Sequence, residues 1–304
     1  MAVQSVQAII NGQTYNLQLN SQNGKWEATI TAPAKSSYTL EDHYYPITIK
    51  VTDDAGNVTT VDCTHETLGE TLKLIVKEKV VPVSTITYPT ASAYITSNKP
   101  EIRWTVTDDD SGVNPDTIGI TIDSGDRITG NGINKTKTAE GYQCSYIPSE
   151  ALSDGSHNVK VDASDYDGNA ASQKSVTFTI DTVPPTLNVA SPEDEAITNK
   201  QACTVQGTTN DVTSSPVKVT VKLNNGTAEN VTVQSDGAFS KSLTLIPGEN
   251  TIVVTATDSA GKATTVERKV TLDTGAPVIH SISLSKNPVE AGKTFTISVE
   301  VTDE

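Results

Sequence analysis

The chain has 304 residues, a formal net charge of −15, and only 35% hydrophobic and 5% aromatic residues. This length suits two or three domains of about 100–150 residues, and the lean apolar content favours several small domains over one large core. The acidity excludes a nucleic-acid partner, because phosphate binding needs clustered Lys and Arg side chains. No run approaches the ~18 apolar residues of a membrane-spanning helix, so no membrane insertion is predicted.

Alternation of apolar and polar residues predicts β-strands along the whole chain. The stretch KWEATI places Trp26, Ala28 and Ile30 on one side, and EIRWTV does the same for Trp104 and its apolar neighbours. Later, VKVTVKL alternates valine with lysine and threonine, beginning at Val217. A period of two residues is typical of strands with one buried face, and apolar stripes with helical spacing are hard to find. The sequence therefore predicts an all-β protein in which both tryptophans lie in the core.

One acidic phrase occurs three times, as VTDDAGNV, ASDYDGNA and ATDSAGKA. Its aligned carboxylates are Asp53, Asp165 and Asp258, which are 112 and 93 positions apart, close to one sandwich domain per copy. Glycine in each copy predicts a positive φ angle, and the Asp predicts a side-chain cap on turn amides. Calcium binding by the turn is the alternative, since DYDGN starts like an EF-hand loop. An EF-hand loop needs Gly at position 6 and a bidentate Glu at position 12, whereas here Gly168 is at position 4 and Val176 at position 12. The phrase is therefore interpreted as a hairpin turn that marks each domain.

Three proline-containing joints divide the chain. They read VKEKVVP, TIDTVPP and TLDTGAP, and a new strand is predicted to begin just after each proline. Proline lacks the amide that a sheet requires, so it ends one sheet and stiffens the connection. The predicted domains are residues 1–80, 81–183 and 184–276, followed by a partial fourth unit at 277–304. Joints that are short and not rich in glycine and serine predict a semi-rigid, elongated rod.

Acidic residues at the joints are the candidate metal ligands. Asp181 and Asp273 lie where two predicted domains meet, so a calcium ion there could take carboxylates from both sides. The loop TDDDSG adds three further carboxylates, from Asp108 to Asp110. The alternative is a solvated acidic loop, with strand-ending aspartates that accept hydrogen bonds from joint amides. No cofactor other than this calcium is predicted.

Residue patterns for catalysis are absent from the sequence. The histidines His43, His65, His157 and His280 are scattered without an H-E-x-x-H zinc motif, and no G-x-S-x-G nucleophile elbow occurs. The stretch AGKT lacks the upstream glycine of a phosphate-binding loop. The three cysteines fall about one per predicted domain, so no domain can close its own disulfide. The sequence therefore predicts a protein that is not an enzyme.

These motifs carry a resemblance to a known family. The A-x-D-x-x-G-N turn, the D-G-x-H-x-V-x-V strand entry at Asp154 and the D-T-x-x-P joint resemble those of tandem bacterial immunoglobulin-like (Ig-like) domains. The resemblance covers nearly the whole chain, is looser in the first domain, and implies β-sandwiches in tandem. Lys262 replaces the usual Asn of the turn, a departure that is expected to leave function unchanged.

A narrower resemblance concerns phage proteins. The opening MAVQSVQAIINGQTYNLQLNSQNGKWEATITAP, the stretch DDDSGVNPDTIGITID and the closing SLSKNPVEAGKTFTISVEVTD are similar to Ig-like proteins of phage and prophage tail modules. This resemblance implies a structural and adhesive component on a virion tail, with tail proteins or cell-surface glycans as partners. The N-terminus lacks the regions of a signal peptide, which agrees with assembly in the cytoplasm if Met1 is the start. The alternatives are a fragment of a bacterial cell-surface adhesin or envelope protein, and the accessory Ig-like region of a secreted carbohydrate-active enzyme.

Overall fold

The computed structural model describes residues 2–303, and its regular structure is almost entirely β-strand. The all-β prediction is confirmed, and within this range no helix is long and apolar enough to cross a membrane. The chain divides into two compact units, the first ending at Ile180 and the second beginning at Asp181. The strands lie inside the predicted domain limits, although the limits themselves stay predictions.

Residues 2–80, the first segment, contain six strands and two short 3-10 turns. These are β1 (Val3–Ile10), β2 (Gln13–Asn20), β3 (Lys25–Glu27), β4 (Tyr45–Asp53), β5 (Val58–Val61) and β6 (Lys73–Leu74), with the turns at Ser37–Thr39 and Gly69–Leu72. All six strands join one sheet in the order β3–β2–β1–β4–β5, with β6 beside β4. Its small core centres on Ile10, Tyr45 and Val76. Trp26 is only half-buried and lies outside this core, because it stands on the three-residue edge strand β3, so its predicted core position is wrong.

Residues 83–180, the second sandwich, form two packed sheets. The strands are β7 (Val83–Tyr88), β8 (Tyr94–Ile95), β9 (Ile102–Thr107), β10 (Val113–Ile122), β11 (Asn134–Lys137), β12 (Gly141–Tyr146), β13 (Gly155–Asp165) and β14 (Lys174–Ile180), with a 3-10 turn at Gly130–Gly132. One sheet has the order β11–β12–β9–β7 and the other β10–β13–β14–β8. Alternating residues of both sheets meet in one core that includes Trp104, Val161 and Phe178, each at most 1% exposed. The core prediction for Trp104 is confirmed.

Residues 186–272, the third sandwich, also form two sheets, but with three and five strands instead of four and four. The strands are β15 (Thr186–Ser191), β16 (Ala196–Thr198), β17 (Ala202–Asn210), β18 (Lys218–Leu223), β19 (Glu229–Val231), β20 (Ala238–Thr244), β21 (Gly248–Thr257) and β22 (Ala263–Leu272). The sheets have the orders β15–β17–β20 and β16–β22–β21–β18–β19. In both sandwiches a short strand runs parallel to the last one, β8 beside β14 and β16 beside β22. The core is again aliphatic, with Val205, Leu245, Ile252 and Val254 at 0% exposure.

A directly opposed cross-strand pair fills the core differently in the two sandwiches. In the second, Trp104 of β9 lies opposite Cys144 of β12. In the third, the equivalent pair is Gly207 of β17 and Phe239 of β20. A Cβ atom on Gly207 would lie 2.5 Å from the Phe239 ring and 2.2 Å from the carbonyl oxygen of Asn188, so the phenyl ring occupies the space that a side chain would take. Cores are close-packed, and here volume is conserved across the pair and not at each position.

The remaining regular structure is a hairpin of two strands, β23 (Val278–Leu284) and β24 (Ile297–Thr302). Three opposed apolar pairs share one face of this hairpin, namely Ile279–Val301, Ile282–Val299 and Leu284–Ile297. All six side chains are exposed, and a two-stranded ribbon alone is only marginally stable in water. The interpretation of residues 277–304 as the start of a fourth sandwich stays a prediction.

Candidate metal centres

The repeated acidic phrase forms the same turn in all three copies. Oδ1 of Asp53, Asp165 and Asp258 accepts a hydrogen bond from the backbone amide four residues further on, at 2.8 Å in each case. The turn glycines have φ angles of 84°, 93° and 88°, in the left-handed region that favours glycine. The turn interpretation is confirmed, and it fixes one carboxylate oxygen of each Asp.

In the third sandwich, two further carboxylates lie beside this turn. Asp181 follows β14, Asp211 follows β17 and Asp258 follows β21, and these three residues are called the third-sandwich triad. One ligand oxygen of each lies within 4.8 Å of the others. The residues are only 0%, 8% and 5% exposed. All three belong to the second compact unit, so the triad is a site within that unit.

Backbone amides and a hydroxyl orient the members of this triad. Oδ1 of Asp181 accepts the amide of Val183 at 3.2 Å, and Oδ1 of Asp211 accepts two amides of its own loop at 2.8 and 2.7 Å. The Ser214 hydroxyl donates to Oδ2 of Asp181. Oδ2 of Asp258 is buried and has no hydrogen-bond partner among residues 2–303. The buried Oδ2 of Asp258 is therefore left over after the loop hydrogen bonds are made.

The negative charge of the triad is uncompensated within residues 2–303. No Lys, Arg or His side chain of this range forms an ion pair with its carboxylates. Carboxylates that share a buried space repel one another, and an unpartnered buried oxygen adds a desolvation cost. Calcium binds six to eight oxygens at about 2.3–2.6 Å, so two of its ligand oxygens lie at most about 5 Å apart. The spacing of the triad therefore suits one calcium ion.

The second sandwich carries the equivalent group in a more closed form. Glu78, Asp108 and Asp165, called the second-sandwich triad, also bring one oxygen each within 4.8 Å of the others. The side-chain amide of Asn169 donates to Oδ2 of Asp165 at 2.7 Å and to Oε1 of Glu78 at 3.2 Å. Burial raises the pKa of Glu78, and its hydrogen bond with Asp165 raises that pKa further. Oδ2 of Asp108 is buried and finds no hydrogen-bond partner in the described part of the chain, so this triad is satisfied only in part.

The structure brings one of the two predicted calcium ligands into a triad. Asp181 meets Asp211 and Asp258, whereas Asp273 belongs to neither triad of the described chain and caps the amide of Gly275 at 2.8 Å. Sequence reasoning assigned Asp258 to the turn alone and did not single out Asp211. Calcium binding itself stays a prediction, with a changed ligand set.

A spacing in the sequence could have identified both triads. Glu78 and Asp181 each stand four positions before a proline, and thirty positions later come Asp108 and Asp211, each directly after a strand. In both sandwiches three strands follow the joint acid, and the third of them, β9 or β17, ends just before the second acid. An acid at the joint and an acid after that strand therefore return to the same end of the sandwich.

The acidic loop and a ring stack connect the first segment to the second sandwich. Oδ1 of Asp110 accepts the backbone amide of Ser36 at 3.0 Å. Tyr38 stacks on both His43 and Tyr166, with ring centroids 4.0 and 4.2 Å apart. Tyr38 and His43 are only five positions apart, whereas Tyr166 comes from a distant part of the chain. With both faces covered, the Tyr38 ring offers no free surface for stacking against a sugar.

Comparison with known families covers the two sandwiches. Residues 89–182 match the bacterial Ig-like domain family, and residues 185–275 match domain B of glucodextranase. This chain is a tandem Ig-like protein. The range 89–182 contains Asp108 and Asp165, and the range 185–275 contains Asp211 and Asp258. Of the two joint acids, Glu78 lies before the first range and Asp181 lies at its end.

Individual relatives of the Ig-like chain are distant. Bacillopeptidase F of Bacillus subtilis (strain 168) is 31% identical over 148 residues, which are 48% of this chain and 10% of that protein. The chain thus spans about a tenth of that curated relative. Fibronectin(III)-like modules of Clostridium thermocellum CbhA share 17% identity over 62% of this chain and 94% of theirs, with a TM-score of 0.38. A tetra-tandem repeat from the extending region of a large adhesion protein shares 19% identity over 98% and 79%, with a TM-score of 0.33.

Proposed function

We propose that this Ig-like repeat protein is a non-catalytic spacer and adhesive segment displayed outside the cytoplasm, and that its third sandwich binds calcium. The observation that carries the proposal is the buried, uncompensated triad of Asp181, Asp211 and Asp258 at the entry to that sandwich. Extracellular protein modules bind calcium with dissociation constants of about 10⁻⁴–10⁻³ M. A site with this ligand set is therefore suited to a calcium-rich exterior.

A calcium titration of the full chain tests the metal part of this proposal. After dialysis against a chelator, isothermal titration should detect an ion whose binding is lost in Asp258→Asn, because that change removes a charged ligand. Asp53→Asn is the matched control, since Asp53 forms the same turn but belongs to neither triad of the described residues. Equal calcium binding by the wild-type chain and Asp258→Asn would overturn the assignment.

The adhesive part of the proposal rests on tandem modules and weak, repeated contacts. Copies held close together bind a surface far more tightly than one copy does. Beads coated densely with the full chain should retain bacterial cell walls or mucin glycans, while the same chain in monomeric solution should bind them weakly. Absence of retention at every coating density would contradict adhesion and leave only a spacer role.

The location of the protein is proposed to be either a bacterial cell surface or a virion tail. Antibodies against the chain, applied to intact bacteria and to purified phage particles of the same strain, distinguish the two. Labelling of the cell wall supports the adhesin or envelope alternative, and labelling of tails supports the virion. Signal confined to the cytoplasm of permeabilised cells would refute both.

One observation favours the accessory region of a carbohydrate-active enzyme as a second candidate. Residues 185–275 match a named domain of glucodextranase, its domain B. Under this alternative the chain has no activity of its own and supports a catalytic domain encoded in the same reading frame. Sequencing of the complete gene decides the matter, because a gene without such a domain excludes this candidate.

A further inference from the structure

We infer that the fifth residue of the repeated turn decides how readily its triad binds a divalent cation. The side-chain amide of Asn169 donates hydrogen bonds to carboxylates of the second-sandwich triad and so competes with a cation. Lys262 supplies no such amide, and the third-sandwich triad is left available for a cation. The inference rests on the proposed calcium binding and adds a determinant of it. Three copies of one turn, with two residue types at this position, provide the comparison.

Turns with asparagine use its amide in the same way. Nδ2 of Asn57 donates to Oδ2 of Asp53 at 2.8 Å, and Nδ2 of Asn169 donates to Oδ2 of Asp165 at 2.7 Å. In the third copy the residue is Lys262, and Oδ2 of Asp258 has no partner. The backbone amide of this position bonds to Oδ1 at 2.8 Å in all three turns, so the side chain alone makes the difference.

The side chain of Asn169 also contacts Glu78, the acid at the joint before the second sandwich. Its amide donates to the backbone oxygen of Glu78 at 3.1 Å and to the Glu78 carboxylate at 3.2 Å, in addition to Asp165. An amide therefore occupies the place between joint acid and turn acid in which a cation would neutralise both. A cation entering the second-sandwich triad has to displace these hydrogen bonds, and a hydrogen bond to a charged group changes an equilibrium by about ten- to a hundredfold.

The third sandwich lacks this internal donor but keeps the rest of the arrangement. Its joint acid Asp181 accepts the hydroxyl of Ser214, three residues after Asp211, as Glu78 accepts that of Ser111, three residues after Asp108. The side chain of Lys262 forms no ion pair with the third-sandwich triad among the described residues. Among the described residues, each triad has one buried oxygen without a partner, on Asp108 in the second sandwich and on Asp258 in the third. The difference is that an amide already bonds to the turn acid and the joint acid of the second triad, which points to the third sandwich as the tighter of the two sites.

Terbium luminescence and calcium competition on the full chain test the determinant. The tightest binding event should disappear in Asp258→Asn and persist in Asp165→Asn. Lys262→Asn should weaken this event about ten- to a hundredfold by supplying the missing amide, and Asn169→Ala should strengthen the weaker event. Lys262→Ala is the matched control, because it removes the lysine without adding an amide, and it should not weaken binding.

Each outcome has a separate meaning. If Lys262→Asn binds as tightly as the wild-type chain, or if the tightest event is lost in Asp165→Asn, the determinant is wrong while calcium binding stands. If the wild-type chain binds no ion, the proposed calcium function fails first. Lys262→Asn is expected to fold, because Asn stands at this position in the other two turns, and its circular dichroism spectrum checks this.

Discussion

The second and third sandwiches each contain an equivalent antiparallel strand pair, β10–β13 and β18–β21, and the side chains at the ends of these pairs differ. At the far end from the triads, Nδ1 of His157 lies 2.8 Å from Oδ2 of Asp123 in the second sandwich. The third has an amide pair there, with Nδ2 of Asn224 donating to Oδ1 of Asn250 at 3.2 Å. Asp123 and Asn224 each also accept a backbone amide at 2.8 Å. Main-chain hydrogen bonds thus fix the fold and leave the remaining side-chain atoms free to vary.

Removing the largest core side chain should have the largest effect on stability of the changes considered. Trp104→Ala should lower the free energy of unfolding of the second sandwich by about 3–5 kcal/mol, because Trp104 is 1% exposed and the opposing Cys144 is small. Urea denaturation followed by circular dichroism measures this. The control is Trp26→Ala, which should cost clearly less because Trp26 is half-buried. Equal costs would contradict the difference in packing.

The effect of Asp258→Asn on the stability of the third sandwich should change sign when calcium is added. Without the ion it should stabilise the third sandwich, because one of three repelling buried charges is removed. At a calcium concentration a hundredfold above the dissociation constant, the wild-type chain gains about 2.7 kcal/mol that the variant lacks. Thermal melting in chelator and in calcium measures both signs. A variant that is less stable under both conditions would show that the charge is not repulsive.

Gly207→Ala should destabilise the third sandwich by about 1–3 kcal/mol through overpacking. The added methyl would meet the Phe239 ring and a backbone oxygen of β15 that cannot move freely. Thr208→Ala, on the exposed side of the same strand, should change stability little. Urea denaturation of both variants is the measurement, and a neutral Gly207→Ala would show that the ring has room to shift.

The smallest expected effect is a pH dependence confined to the second sandwich. Burial lowers the pKa of His157, but hydrogen bonds to the Ser153 carbonyl and to Asp123 outweigh it, and the pKa is raised above 6.5. This contribution to stability is complete below the unfolded pKa of about 6.5 and is lost as pH rises through the raised value. Hydrogen exchange of β13 and β21 between pH 6 and 8.5, corrected for intrinsic rates, should show loss of protection in β13 only. The double variant Asp123→Asn/His157→Asn should abolish the difference.

The sequence predicts local features well and contacts between distant residues poorly. Alternation identified the strands, and it placed Trp104 correctly. The same pattern misplaced Trp26, because burial depends on which strands lie beside and across from a residue, and β3 is a short edge strand. Asp181 was found from its joint, but Asp211 meets it only when β15 and β17 have paired.

Lys262 shows a second limit of sequence reasoning. Its departure from Asn was expected to leave function unchanged, and its backbone indeed makes the same turn. The consequence lies in Oδ2 of Asp258, which is left without a partner. A motif shows which residues recur. Whether a carboxylate oxygen needs a hydrogen-bond partner depends on its burial and on which groups lie beside it in the folded chain.

The fifth position of the turn also has a genetic consequence. Codons for asparagine and lysine share their first two bases, so one base substitution converts Asn169 into the residue type of Lys262, or the reverse. The backbone amide of this position makes the same hydrogen bond with either residue, so such a substitution is expected to preserve the turn. If the proposed calcium binding holds, a gene that duplicates these modules can vary the ion affinity of each copy independently, by single mutations that preserve the turn.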